Sequence, residues 1–215
     1  DSGELYLSGE EGGVKKITLS TKAETTIKTD HPNIRTRWIK SFSGDTLVGA
    51  DLGHLFFVIN GITQPFYRYS NINATREIFV DSKKNSWISS KSGVRRVSRE
   101  GELTRFDINN GMPFESTQTV FEDKDRNIWI GTEGAGLLKF FPKQEFVTYT
   151  KKDSLPSEQV MSIIEDGDKM WFSTYSDGVF YSENKEYKQY TSETGLPNNT
   201  VWSSAKGKEG KVWFA

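Results

Sequence analysis

Cysteine is absent from the 215 residues, which excludes disulfides, cysteine-ligated zinc and thiol nucleophiles together. The compartment stays open on that ground, because a cysteine-free chain can live in either redox environment. No charge of one sign prevails: 28 Lys and Arg stand against 29 Asp and Glu, a formal net charge of −1. The basic footprint of a nucleic-acid binder is missing, so no nucleic-acid contact is expected. Long apolar runs are missing too. The longest, Leu55-Phe56-Phe57-Val58-Ile59, is far short of a membrane span, so no membrane insertion by these residues is expected. The chain opens at Asp1 without a charged-then-apolar leader, so any signal peptide is expected to be already removed or never present.

Aromatics are plentiful, at 13%, with 6 Trp, 8 Tyr and 14 Phe, and 19 Gly punctuate the chain. That mix favours short strands joined by tight turns over long helices. A sheet protein can make its core from few, large side chains even where the hydrophobic share is only 34%.

The strongest feature is an internal repeat. One phrase of turn, strand, small residues, glycine and strand recurs along the chain. It stands as Asn127-Ile128-Trp129-Ile130-Gly131-Thr132 followed by Gly136-Leu137-Leu138, and as Lys169-Met170-Trp171-Phe172-Ser173-Thr174 followed by Gly178-Val179-Phe180. An earlier copy runs Asn85-Ser86-Trp87-Ile88-Ser89-Ser90, then Gly93-Val94. The anchors are Tyr6, Leu47, Trp87, Trp129, Trp171 and Trp213, and subtraction gives spacings of 41, 40, 42, 42 and 42. Five matching spacings in succession exclude chance.

Each period divides into strand-like pieces bounded by Gly, Asp, Asn, Ser or Pro. In the fourth period they are Gln159 to Glu165, Lys169 to Thr174, Val179 to Ser182 and Glu186 to Thr191. Polar turns such as Asp81 to Asn85 and Asp123 to Asn127 separate the first piece from the second, and suit the positive-φ positions of a hairpin. Leu155-Pro156, Leu196-Pro197 or Met112-Pro113 precede the next repeat. Four antiparallel strands per period predict an all-β fold, a β-propeller of four-stranded blades. The anchor tryptophans are then expected between blades, as core. A single propeller segment is expected over 1–215, with periods 6–46, 47–86, 87–128, 129–170, 171–212 and a remnant 213–215. Because the array begins and ends in the same strand of the repeat, it is either a five-bladed ring closed by a shared blade or about five repeats of a larger ring, and the larger ring is expected.

The combination Leu155-Pro156-Ser157-Glu158-Gln159-Val160, Ile164-Glu165-Asp166, Ile128-Trp129-Ile130-Gly131-Thr132 and Gly136-Leu137 is more specific than a generic blade. It resembles the two-component regulator propeller repeat, and the repeats around Tyr6 and Leu47 fit least well. The resemblance implies the periplasmic sensor region of a hybrid two-component regulator, with the larger ring a seven-bladed propeller. Its kinase would lie in a part of the protein outside these residues. An oligosaccharide or other small ligand is implied as the partner, with a homodimer of the intact sensor as the signalling assembly.

In such blades the first strand lies nearest the axis, and the loop leading into it opens on the same face as the loop between strands two and three. Alignment puts Thr75, Thr117, Val160 and Val201 in one row. The next row holds Arg76, Gln118, Met161 and Trp202, with Arg37 or Trp38 in the first repeat. Side chains alternate along a strand, so one row should face the channel. The second row is chemically varied, and its arginines and Trp202 could bind hydroxyls or a carboxylate and stack on a sugar face. The candidate ligand-binding residues are Arg37, Trp38, Arg76, Gln118, Glu133, Tyr175 and Trp202, the loop residues Glu133 and Tyr175 coming from strand two-to-three connections as Asp177 does.

No catalytic residue, metal or cofactor is expected. The histidines, His31 and His54, occupy different positions of the repeat, and a zinc site needs three or four ligands. Propeller lyases use histidine as acid or base, but His54 alone does not make that case. Gly131 to Gly136 lies between strands with no helix after it, which excludes a phosphate loop. A protein-interaction scaffold is the alternative reading.

Overall fold

The computed structural model describes residues 4–8, 14–27, 36–42, 45–50, 54–59, 62–68, 75–141, 145–183, 186–207 and 210–215. Between 36 and 68 it describes the backbone, together with the side chain of Phe56. His31 lies outside the described residues, and so do the side chains of Arg37, Trp38 and His54.

The chain is built from consecutive antiparallel sheets. The first holds β1 (Glu4–Ser8), β2 (Val14–Thr18) and β3 (Ala23–Ile27). Four complete four-stranded sheets follow. They are β4 (Thr36–Phe42) to β7 (Ile62–Arg68), with β5 (Asp45–Ala50) and β6 (His54–Ile59) between; and β8 (Thr75–Val80), β9 (Ser86–Ser90), β10 (Gly93–Val97) and β11 (Leu103–Phe106). Then come β12 (Thr117–Glu122), β13 (Ile128–Thr132), β14 (Leu137–Phe141) and β15 (Glu145–Tyr149). The last complete sheet is β16 (Val160–Asp166), β17 (Lys169–Thr174), β18 (Val179–Glu183) and β19 (Glu186–Tyr190). A pair, β20 (Ser204–Lys206) and β21 (Val212–Phe214), closes the chain.

First strands are neighbours across sheets: β4 packs on β8, β8 on β12, β12 on β16 and β16 on β20. That is the radial arrangement of propeller blades, with first strands innermost. Each sheet from β4 onward starts one strand before its anchor, whereas in the first sheet β1 itself carries Tyr6. An anchor-to-anchor period therefore takes three strands of one blade and the first strand of the next.

The core sits between blades, as a sheet with two apolar faces requires. One cluster joins Trp87, Val94, Phe106 and Met112 to Val120, Ile130, Leu138 and Phe140; the next joins Leu137 and Leu155 to Val160, Ile163, Phe172 and Phe180. Trp87 is 2% exposed, stacks on Phe106 at 5.8 Å and meets the edge of Phe140 at 5.4 Å. Met112 and Leu155, which precede the prolines, are both buried and plug the wedge. Short 3₁₀ turns at Ile108–Asn110, Lys151–Asp153 and Ser192–Thr194 carry the chain from β11, β15 and β19 toward the next blade.

Candidate functional site

The proposed ligand row coincides with a backbone irregularity. Each complete blade carries a β-bulge at the start of its first strand, where the pairing skips one residue. The skipped residue is Arg37 between Thr36 and Trp38, Arg76 between Thr75 and Glu77, Gln118 between Thr117 and Thr119, and Met161 between Val160 and Ser162. In the last blade, the Trp202 and Ser203 amides both donate to the Ala215 carbonyl, at 2.7 and 3.1 Å, which is the same device. A bulge bends the strand and re-aims the extra side chain. It also distinguishes Arg37 from Trp38: only Arg37 occupies the bulge.

The row before the bulge is sealed. Thr75, Thr117, Val160 and Val201 are all buried. Thr117 shows why: its hydroxyl donates to the Ser90 carbonyl at 2.9 Å and accepts from the Ser90 amide at 3.0 Å, stitching β12 to the previous blade. The bulge row keeps more surface. Trp202 is 56% exposed, Arg76 and Met161 are half-buried, and Gln118 retains 8%.

Loops between second and third strands are pinned over this row. The amides of Gly93, Gly136 and Gly178 donate to the carbonyls of Glu115, Glu158 and Asn199, each just ahead of the next blade's first strand. Glycine is required there, since all three have positive φ and an added Cβ would lie within about 2.1 Å of a carbonyl oxygen.

The structure gathers the named side chains into two groups. In the first, Arg76 Nη2 lies 3.8 Å from Glu133 Oε1, and the Ser116 hydroxyl donates to Glu133 Oε2. Gln118 occupies the equivalent bulge on the neighbouring first strand, β12. In the second, Tyr175 and Trp202 meet edge to face with ring centroids 5.3 Å apart, both largely exposed. Backbone contacts connect the groups: Glu133 forms a bridge with Gln159, whose carbonyl accepts the Tyr175 amide at 3.2 Å. Asp177 takes a different part from its loop neighbours. It accepts the Ser157 hydroxyl at 2.7 Å, tying the Leu-Pro-Ser turn to the loop. Sequence reasoning missed Ser116, and no motif marks it.

An array of radially stacked four-stranded sheets with a mouth formed by bulges and loops defines a β-propeller. Residues 111–134 and 154–176 match the family model of the two-component regulator propeller, so these two stretches are repeats of that type. Among solved structures, the virginiamycin B lyase of Staphylococcus aureus superposes with a TM-score of 0.80 at 14% identity, covering 100% of this chain and 74% of the lyase. PorZ, a surface component of the type-IX secretion system of Porphyromonas gingivalis, gives 0.81 at 12%, covering 100% of this chain and 36% of PorZ. The extracellular domain of a hybrid two-component system of B. thetaiotaomicron gives 0.68 at 17%, covering 100% and 35%. At these identities the likeness shows the fold alone. No curated protein matches the sequence. Among the described residues no helix is long and apolar enough to cross a membrane, and no cluster of His, Asp and Glu could hold a metal ion.

Proposed function

We propose that the chain is the ligand-binding sensor module of a periplasmic two-component regulator, and that it takes an oligosaccharide at the propeller mouth. The observation that carries this is the exposed Tyr175–Trp202 pair set beside the Arg76–Glu133 pair, on bulges and pinned loops of a rigid scaffold. Exposed rings offer flat apolar faces to a sugar, and the ion pair offers both donors and acceptors to hydroxyls. The two-component regulator repeats support the sensor role, and the fold likeness to an extracellular two-component domain is consistent with a position outside the cytoplasm. Binding, not catalysis, is the role the mouth suits. The kinase of such a regulator would lie in another part of the protein, and an intact sensor would signal as a homodimer.

Calorimetric titration of the chain against a panel of oligosaccharides tests the reading. Trp202→Ala and Arg76→Ala should each weaken the titrated ligand by about tenfold or more. Unchanged binding in both variants would place the ligand elsewhere.

A further inference from the structure

The mouth also carries information about which class of sugar it takes, given the binding role proposed above. Its first group pairs one arginine with one glutamate. The Arg76–Glu133 contact of 3.8 Å is too long for a hydrogen bond, so the pair is matched in charge without being closed. Glu133 is held from the other side, its second oxygen accepting the Ser116 hydroxyl. Arg76 Nε is buried and has no hydrogen-bond partner. Gln118, on the next bulge, retains 8% of its surface, and its side-chain amide is not among the buried polar atoms without a partner.

The buried Nε is out of a ligand's reach, but the partly exposed end of the Arg76 guanidinium, the Gln118 amide and Glu133 Oε1 are not. A vicinal pair of sugar hydroxyls can meet these groups: each oxygen accepts from Arg76 or Gln118, and each O–H donates to Glu133. A carboxylate offers acceptors only, and it would bring a second negative charge against Glu133 Oε1. The mouth is thus complementary to a diol and opposed to an anion. Its aromatic group lies close by, through the Glu133–Gln159–Tyr175 backbone contacts.

We propose that the mouth selects neutral oligosaccharides: a vicinal diol of one sugar unit sits between Arg76, Gln118 and Glu133, a neighbouring unit lies on Tyr175 and Trp202, and Glu133 rejects uronate-bearing glycans. The test is a glycan array of matched neutral and uronate-containing oligosaccharides, followed by titration of the hits against the 215-residue chain and its Glu133→Gln variant. The wild type should bind neutral glycans and leave the acidic ones unbound. Glu133→Gln should lose about tenfold for neutral glycans and gain measurable binding of acidic ones. Circular dichroism and melting establish that this near-isosteric variant is folded. If it is not, Gln118→Ala gives the second reading, with an expected loss of about tenfold for neutral glycans. A wild type that prefers acidic glycans, or a Glu133→Gln variant with unchanged selectivity, overturns this inference and leaves the sensor reading standing. A chain that binds no glycan of either kind overturns both.

Discussion

Asp81 and Asp123 occupy the same place in successive blades and show how one carboxylate organises a hairpin. Asp81 accepts the Trp87 indole N–H at 2.8 Å together with the amide and side chain of Asn85; Asp123 accepts Trp129 at 2.8 Å together with Asn127. The anchor tryptophan is held at its polar edge while its rings fill the space between blades. In the following blade the hairpin is shorter, Asp166 pairing directly with Lys169. There Asp166 turns to Lys206 at 2.8 Å, and the buried Trp171 indole N–H has no partner. Replacing Asp123 by Ala orphans several donors at once and should cost about 2–3 kcal/mol in urea denaturation. The pH dependence has a definite sign. Burial raises the Asp123 pKa, but the bonds from Trp129 and Asn127 and the Lys139 charge outweigh it and hold the group below the usual aspartate value. Its contribution is therefore present above the unfolded-state value near ~3.9 and is lost as pH falls through the lower folded value. The variant should show a shallower loss of stability over that acid window than the wild type.

At the scale of the element, the pinned loops decide the shape of the mouth. Gly136 has φ 73°, and a Cβ there would lie 2.1 Å from the Tyr149 carbonyl oxygen, while Gly101 has φ 88° with nothing within 4 Å. Gly101→Ala pays only for the left-handed backbone, about 1–2 kcal/mol. Gly136→Ala pays that and must also displace backbone, so its melting point should fall further than that of Gly101→Ala. Equal shifts would show that the close approach costs nothing. Strands and hairpins were legible in the sequence because alternation and turn residues are local signals: the fourth-period strands fall within a residue of Val160–Asp166, Lys169–Thr174, Val179–Glu183 and Glu186–Tyr190. The bulges were not, because one extra residue in a strand leaves the repeat length almost unchanged. Only the mixed chemistry of Arg76, Gln118, Met161 and Trp202 hinted that this row is under no common packing demand.

For the whole molecule, stability should follow the stacking of neighbours, as in other repeat proteins. Sheet β12–β15 has a packed blade on either side, whereas β20–β21 is a two-stranded pair packed on β16. The same anchor is 2% exposed as Trp87 and 64% exposed as Trp213. In the 215-residue chain, native-state hydrogen exchange should therefore find the β20–β21 amides opening well before those of β12 and β13. Uniform protection across the sheets would contradict a nearest-neighbour picture.

The sequence by itself determined the repeat, the all-β class, Trp87 as core and the family of the clearest repeats, because each of these is written in spacing and local pattern; the anchor at Trp213 is 64% exposed and is not core. The tertiary structure alone decided which side chains meet. Arg76 and Glu133 are 57 residues apart, and Tyr175 and Trp202 are 27 apart. They come together because bulges and loops of different blades open on one face. Such contacts depend on how sheets stack around an axis, and no periodicity along the chain records that. The periodic array that stood out first is the scaffold, and the proposed site lies where its regular pairing breaks.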